Sequence, residues 1–323
     1  MSPSTDTSKR QKYLPVPLAL LCLTKELPVD VYWCLYPGAD PVLLRGQNIE
    51  IDDDEFPKLL EGGVETVYIP RDQGEVFQQH LQENVRSILN NHDVPIAQRM
   101  AFLNSTGRTM LQEVFRSDNL DKTLESVSVL SEHMTSLISQ DEIVAGELFD
   151  VLQHDYHTYT HSYNVASYAM LLAQEMGFRD EAELRRISMG GLLHDLGKLR
   201  IPNQILTKKE RLTEAEWQTI QRHPTDGFVA LAERAELTFD QLMMVYQHHE
   251  KLDGSGYPVG IDGDEIHVLA RICSVVDIFE ALTSNRPYRN PNSTKEALEI
   301  LDKMAPTKLD GDMVKCWKAL MQK

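Results

Sequence analysis

The chain has 323 residues, 42% hydrophobic and 25% charged, the composition of an ordinary globular protein with room for two domains and a sizeable core. Its formal charge of -17 argues against a nucleic-acid polymer or an anionic membrane as main partner, since both select a basic face; a small phosphate ligand held by metals or a few local cations stays open. The four cysteines, Cys22, Cys34, Cys273 and Cys316, are scattered without a Cys-x-x-Cys pair, so neither a disulfide framework nor a thiolate zinc knot is indicated and a reduced cytoplasm fits best.

The N-terminus is polar, and the apolar run Val16 to Leu23 is too short to span a bilayer; it reads as a buried strand. VDVYWCLY, PVLLRG and ETVYIP are further strand candidates, separated by Pro and Gly. An acidic turn, Asp52 to Glu55, precedes FPKLLEGG, a short helix ended by glycine. From Glu75 to about Arg116 the apolar residues Phe77, Leu81, Val85, Ile88 and Leu89 recur at helical spacing, with a break between Asn90 and Pro95. From Leu120 onward nearly all of the chain reads as helix. The expected class is therefore mainly α: a small α+β, mostly β, N-terminal domain over 1-80, a helical connector over 81-130 and an all-helical domain over 131-323. The first of these lacks the βα repeat and acidic pocket of a receiver domain.

Eight of the 11 histidines lie between His154 and His267. In HTYTHSYNVASYAMLLAQEMG, a helix from about Thr158 to Met176, His157 and His161 are four apart and share a face. Alone, that pair is also compatible with a partly buried helix that carries two incidental histidines. In GGLLHDLGK, Leu192 and Leu193 draw a helix end into the core, His194 and Asp195 follow, Gly197 lets the chain turn, and Lys198 is placed near any anion. In TEAEWQTIQRHPTDG, Thr213 and Glu216 have capping-box spacing, and Pro224 is expected to stop that helix at His223. QHHEKLDGSGYP then sets His248 beside His249 ahead of a glycine-rich loop. Asp277 follows within an apolar helix, where a carboxylate is costly unless paired or bound to a cation, or else lies on a solvated face.

His161, His194, His223, His248 and His249 with Asp195 and Asp277 make a donor set without a thiolate. Imidazole with carboxylate suits iron, manganese, zinc, nickel or cobalt, and the donors exceed what one tetrahedral zinc can use. A metal pair bridged by a carboxylate and a hydroxide is suited to hydrolysing phosphate esters. Gly254 and Gly256 are expected to supply backbone angles closed to other residues, so that the loop holds Tyr257 beside the site.

The order His161, His194-Asp195, His223, His248-His249, Asp277 resembles the HD-domain phosphohydrolases, and HDLGK with HHEKLDGSGYP resembles their HD-GYP subfamily. The resemblance covers about residues 131 to 323. It implies a cytoplasmic bacterial signalling enzyme, a metal-dependent phosphodiesterase that hydrolyses cyclic di-GMP to pGpG and often GMP through a metal-bridging hydroxide. One metal, Fe or Mn ahead of Ni, Co or Zn, would be bound by His161, His194, Asp195 and Asp277. A second would share Asp195 and add His223, His248 and His249. Asp195 and Lys198 would be catalytic, and Lys198, Tyr257, Arg286, Arg289 and Asp155 would approach the phosphates or bases. A diguanylate cyclase domain is an implied partner, and a homodimer is compatible. Members with three metals carry glutamate where this chain has His157, so a dinuclear centre is expected over a third metal on His157. Two alternatives stand beside this reading: a non-catalytic sensor that holds cyclic di-GMP or a cyclase, and a phosphodiesterase for another cyclic dinucleotide.

Overall fold

The computed structural model describes residues 12–21, 26–35, 39–49, 58–59, 62–64, 66–115, 119–140, 145–152, 157–286, 289–305 and 307–322. The chain divides into two compact units, Met1–Thr106 and Gly107–Lys323.

In the first unit four short strands, β1 (Tyr13–Pro17), β2 (Val31–Trp33), β3 (Val42–Arg45) and β4 (Thr66–Pro70), form an antiparallel sheet in the order β1-β4-β2-β3. An all-antiparallel order agrees with the absence of a βα repeat. Buried Val16, Val31, Val67 and Ile69 supply the apolar face. The run expected to be one strand from Val16 ends earlier: β1 stops at Pro17 and α1 (Leu18–Leu21) follows. Proline has no N–H to extend the ladder, and its fixed φ suits a helix entry. Two amphipathic helices come next, α2 (Gly74–Leu89), which buries Phe77, Leu81, Val85, Ile88 and Leu89, and α3 (Ile96–Val114), within which the two units divide. The Asp52–Glu55 turn and most of FPKLLEGG lie outside the described residues. What is described there ends as expected, with Gly63 at φ 84° and the Val64 N–H on the Leu59 carbonyl at 2.9 Å.

The second unit is helical: α4 (Leu120–Gln140), α5 (Ala145–Val151), α6 (Thr158–Glu175), α7 (Glu181–Leu193), α8 (Asn203–Leu206), α9 (Glu214–Gln221), α10 (His223–Leu231), α11 (Phe239–Gln247), α12 (Val268–Thr283), α13 (Thr294–Met304) and α14 (Gly311–Leu320). A 3-10 turn covers Leu196–Arg200. Helix α6 is the axis, buried on every side from Thr160 to Ala173, with α7, α12 and α14 packed around it. Tyr168 of α6, Phe279 of α12 and Trp317 of α14 meet edge-on or tilted, with ring centroids 5.2–5.8 Å apart. Asp180 accepts from the Glu183 N–H and starts α7; the Thr213–Glu216 capping box starts α9 as expected. Among the described residues no helix is long and apolar enough to cross a membrane.

Candidate metal centre

Five helices deliver the candidate donors to one point. His161 lies one turn into α6, and His194 closes α7 with Asp195 leading into the 3-10 turn. His223 opens α10, His248 closes α11 with His249 next, and Asp277 sits midway along α12. The expectation that α9 would run to His223 is corrected: α9 ends at Gln221, and Pro224 occupies the first turn of a new helix, where its missing N–H costs nothing. His223 is therefore held at a helix start.

Asp195 is the hub. Its Oδ2 lies 3.4 Å from His161 Nε2 and 3.5 Å from His194 Nε2. Its Oδ1 lies 3.2 Å from His223 Nε2 and 3.9 Å from His248 Nε2. Asp277 spans to both sides, with Oδ1 3.1 Å from His161 Nε2 and Oδ2 3.8 Å from His249 Nδ1. Two groups of donors result, each compact enough for one ion: His161, His194 and Asp195; and Asp195, His223, His248 and His249. They share one carboxylate and are consistent with a binuclear metal site.

The hydrogen bonds behind the rings decide what the rings offer. His194 Nδ1–H donates to the Gly191 carbonyl (2.7 Å), His223 Nδ1–H to Ile220 (2.8 Å) and His248 Nδ1–H to Val245 (3.0 Å). In the neutral rings each Nε2 is then a lone pair aimed inward, as for histidines that bind a metal. His223 Nε2 and His248 Nε2 face each other at 3.2 Å, two acceptors in contact, which only a positive charge between or beside them relieves. His194 Nε2 and Asp195 Oδ1 are fully buried and have no hydrogen-bond partner among the described residues. Orphaned acceptors at this depth are costly, and here they all point at one spot. The donor set fits a cation pair.

Burial pushes His194, His248 and His249 below the usual imidazole range, which keeps them neutral. Burial alone would raise Asp195, but the Lys198 ammonium beside it outweighs burial and holds the carboxyl well below its usual value. Asp277 is likewise held low, against burial, by its hydrogen bond to His161 and by the charge of that ring. His161 differs. Burial opposes its charge, yet Glu280, Asp277 and Asp195 raise it to about 9.

Glu280, one turn beyond Asp277, escaped the sequence reading. It is fully buried on α12, accepts from His161 Nδ1, Asn164 Nδ2 (3.2 Å) and the Ser284 hydroxyl, and lies 3.6 Å from Arg286. The available signal was a second carboxylate three residues after Asp277 on the same apolar helix. Glu250, within the HHE string, was also passed over. Its buried carboxylate accepts from the Val259 N–H (2.8 Å) and the Gly260 N–H (3.0 Å) and so ties down the far end of the glycine loop.

That loop holds Tyr257 by two devices. Gly254 has φ 72°, as expected, but Gly256 does not need a positive φ: a Cβ there would lie 2.4 Å from the Glu250 Cα. The Gly256 expectation is thus corrected from a backbone angle to a close approach. The Tyr257-Pro258 peptide is cis. The Tyr257 ring centroid stands 4.7 Å from that of His249. Gly197 also serves close approach, since a Cβ would fall 2.0 Å from the His223 carbonyl oxygen; it lets the HD turn rest on the start of α10.

A cleft of about 350 Å³ opens onto the centre, lined among others by Lys198, Tyr257, Arg286 and Arg289. The Lys198 ammonium donates to Asp195 Oδ2, and Arg286 stands beside Glu280. Arg289 donates to the Ala281 carbonyl (2.7 Å) and caps the end of α12. His157 precedes α6, its ring stacked on Tyr159 at 5.0 Å, and belongs to neither donor group. Asp155 lies outside the described residues.

Residues 129–313 match the family model described as HD domain. The chain is 31% identical over 237 residues to a 3'3'-cGAMP-specific phosphodiesterase 1 of Vibrio cholerae, covering 72% of this chain and 50% of that protein. It is 29% identical over 278 residues to the cyclic di-GMP phosphodiesterase PA4108 of Pseudomonas aeruginosa, covering 80% and 65%. The chain thus spans about half to two thirds of the length of these relatives. In fold it is similar to Bd1817, an HDG"Y"P protein from Bdellovibrio bacteriovorus, with TM-score 0.69 and 17% identity over 96% of this chain and all of that one. With the matched domain, the HDLGK and HHEKLDGSGYP strings and the shared fold together, the chain belongs to the HD-domain family, in its HD-GYP branch.

Proposed function

We propose that the chain is a metal-dependent phosphodiesterase that hydrolyses cyclic di-GMP to linear pGpG, with GMP as the end product where both diesters are cut. One observation carries the reading: buried acceptor atoms of His194, His223, His248 and Asp195 converge without protons to share. His161, His194, Asp195 and Asp277 would hold one ion, and Asp195, His223, His248 and His249 the other; the donor set suits several divalent metals, and the family resemblance favours iron or manganese. When bound, such a pair neutralises phosphate charge and lowers the pKa of water to near neutrality.

The protein's own part is positioning. Asp195 stays anionic and rigid, fixed by the HD turn. Lys198, which donates to Asp195, and Arg286, which stands beside Glu280, line the cleft as cations suited to the non-bridging oxygens of a diester. Tyr257 walls the cleft beside His249 and limits the ligand's approach to one side. Arg289, committed to carbonyls of α12, keeps the Arg286 turn in place through the reciprocal 286–289 backbone pair. Residues 1-80 act as a regulatory module, and the glycine loop with its exposed Val259 faces a cyclase partner.

A second substrate is favoured by one finding: the Vibrio relative is named for 3'3'-cGAMP. Incubating protein loaded with iron or manganese with each cyclic dinucleotide, and separating products by chromatography, tests both. Linear dinucleotide from cyclic di-GMP supports the proposal. Binding without turnover of either would replace it with the sensor reading.

A further inference from the structure

The cleft at the metal centre, about 350 Å³, is near the lower bound of small-ligand sites, about 300–1,000 Å³. A cyclic dinucleotide has two bases and two diesters, and one diester at the centre leaves half the molecule to be seated elsewhere. A second cavity of about 570 Å³ adjoins this cleft and shares with it Lys198, Trp217, Ile220 and Arg286. Its far wall is the segment from α8 to the start of α9.

The character of that wall is specific. Trp217 projects from α9 and leaves 42% of its surface exposed, edge-on to Tyr257 with centroids 6.2 Å apart. An indole exposed to this extent on the wall of both cavities offers aromatic surface to a flat ring. Leu206 and Leu212 add an apolar floor. Lys209 and Arg211 stand exposed on the rim, and neither has a hydrogen-bond or ion-pair partner among the described residues, in a chain of net charge -17. Lys208 is different, since Glu216 holds its ammonium at 2.7 Å and ties the wall to α9. The rim acids, Glu210 and Glu214, are acceptors for the amino or ring N–H groups of a purine.

We propose that this cavity is the seat of the second nucleotide: its base stacks on Trp217, and the diester remote from the metals is held by Lys209 and Arg211. The inference rests on the cyclic-dinucleotide reading and adds the residues that make the site count two nucleotides. Base–aromatic stacking is sequence-tolerant, so the seat accepts either purine.

The test compares ligands that do and do not fill the seat. Affinities of the full chain for GMP and for linear pGpG are measured by equilibrium titration after the metal is removed with a chelator, so that pGpG is not cut. The kcat/KM of the metal-loaded chain is measured for cyclic di-GMP and for bis(p-nitrophenyl) phosphate, a diester without bases. The wild type is expected to bind pGpG at least tenfold more tightly than GMP. Trp217→Ala should erase that advantage and lower kcat/KM for cyclic di-GMP about tenfold more than for the nitrophenyl diester, while Trp217→Phe restores both. A Lys209→Ala, Arg211→Ala double variant should weaken pGpG severalfold without changing GMP affinity. Equal losses for both ligands in Trp217→Ala, or none, with cyclic di-GMP still hydrolysed, would overturn the seat alone. A wild type that cleaves the nitrophenyl diester but neither binds nor cleaves cyclic dinucleotides would overturn the functional reading and the seat with it.

Discussion

Replacing Glu280 with glutamine removes one charge and keeps the shape of the side chain. Its two oxygens accept from His161 on one side and from Asn164 and Ser284 on the other. In either orientation the new amide sets an N–H against a donor. In protein stripped of metal, His161 is an imidazolium near pH 7, since its pKa is raised to about 9 by Glu280 and the two aspartates against burial. Breaking a buried pair of this kind costs about 3–5 kcal/mol. For a unit of this size that is a fall in Tm of roughly 6–20 °C. The pH dependence fixes the sign. The folded His161 lies above an unfolded value of about 6.5, so its stabilisation is complete below that pH and is lost as pH rises through about 9. Glu280 is held at about 2, against burial, chiefly by His161, so its contribution is complete above about 4.5 and is lost on acidification through about 2. Thermal melts of chelator-treated protein from pH 6 to 9.5 should fall with pH for the wild type and be lower and flatter for Glu280→Gln. With metal restored, the variant should bind it about 10- to 100-fold more weakly, as the orientation of His161 is loosened. A variant that melts at the wild-type temperature with the wild-type pH slope would refute this account of Glu280.

Gly197→Ala places a methyl group 2.0 Å from the His223 carbonyl oxygen, so the HD turn and α10 must part; a loss of about 1–3 kcal/mol or more and lower metal content are expected, read by melting and metal analysis. Arg286→Ala should raise KM for cyclic di-GMP with metal content unchanged, whereas Arg289→Ala, which removes ties to Ala281 and Leu282, should also lower Tm. Tyr257→Ala should raise KM and Tyr257→Phe should not, because the ring stands against His249 and forms the cleft wall.

Much of this was legible in the residues. The helix carrying His161, the helix end before His194 and the apolar helix holding Asp277 are readable as α6, the end of α7 and α12, and Asp277 in that helix calls for a partner unless it faces solvent. The local punctuation was harder. A proline can end one helix or open the next, and only the structure shows that Pro224 does the second and leaves His223 at a helix start. Pro17 divided an apolar run whose composition reads as one strand. Glu280 and Glu250 were missed for a different reason. Their partners are fixed by tertiary contact, across 119 residues for His161 and by backbone N–H groups for Glu250, and neither leaves a periodic trace. Gly197 and Gly256 read as turn formers, yet both serve the close approach of one backbone to another.

The central claim is a pair of ions sharing Asp195. Its most direct measurement is the metal content of protein reconstituted anaerobically with iron or manganese and freed of excess ion, for wild type, His157→Ala and Asp195→Ala. The account predicts two ions per chain in the wild type, two in His157→Ala, and loss at both positions in Asp195→Ala. One ion per chain in the wild type, or an Asp195→Ala variant that keeps two, would contradict it.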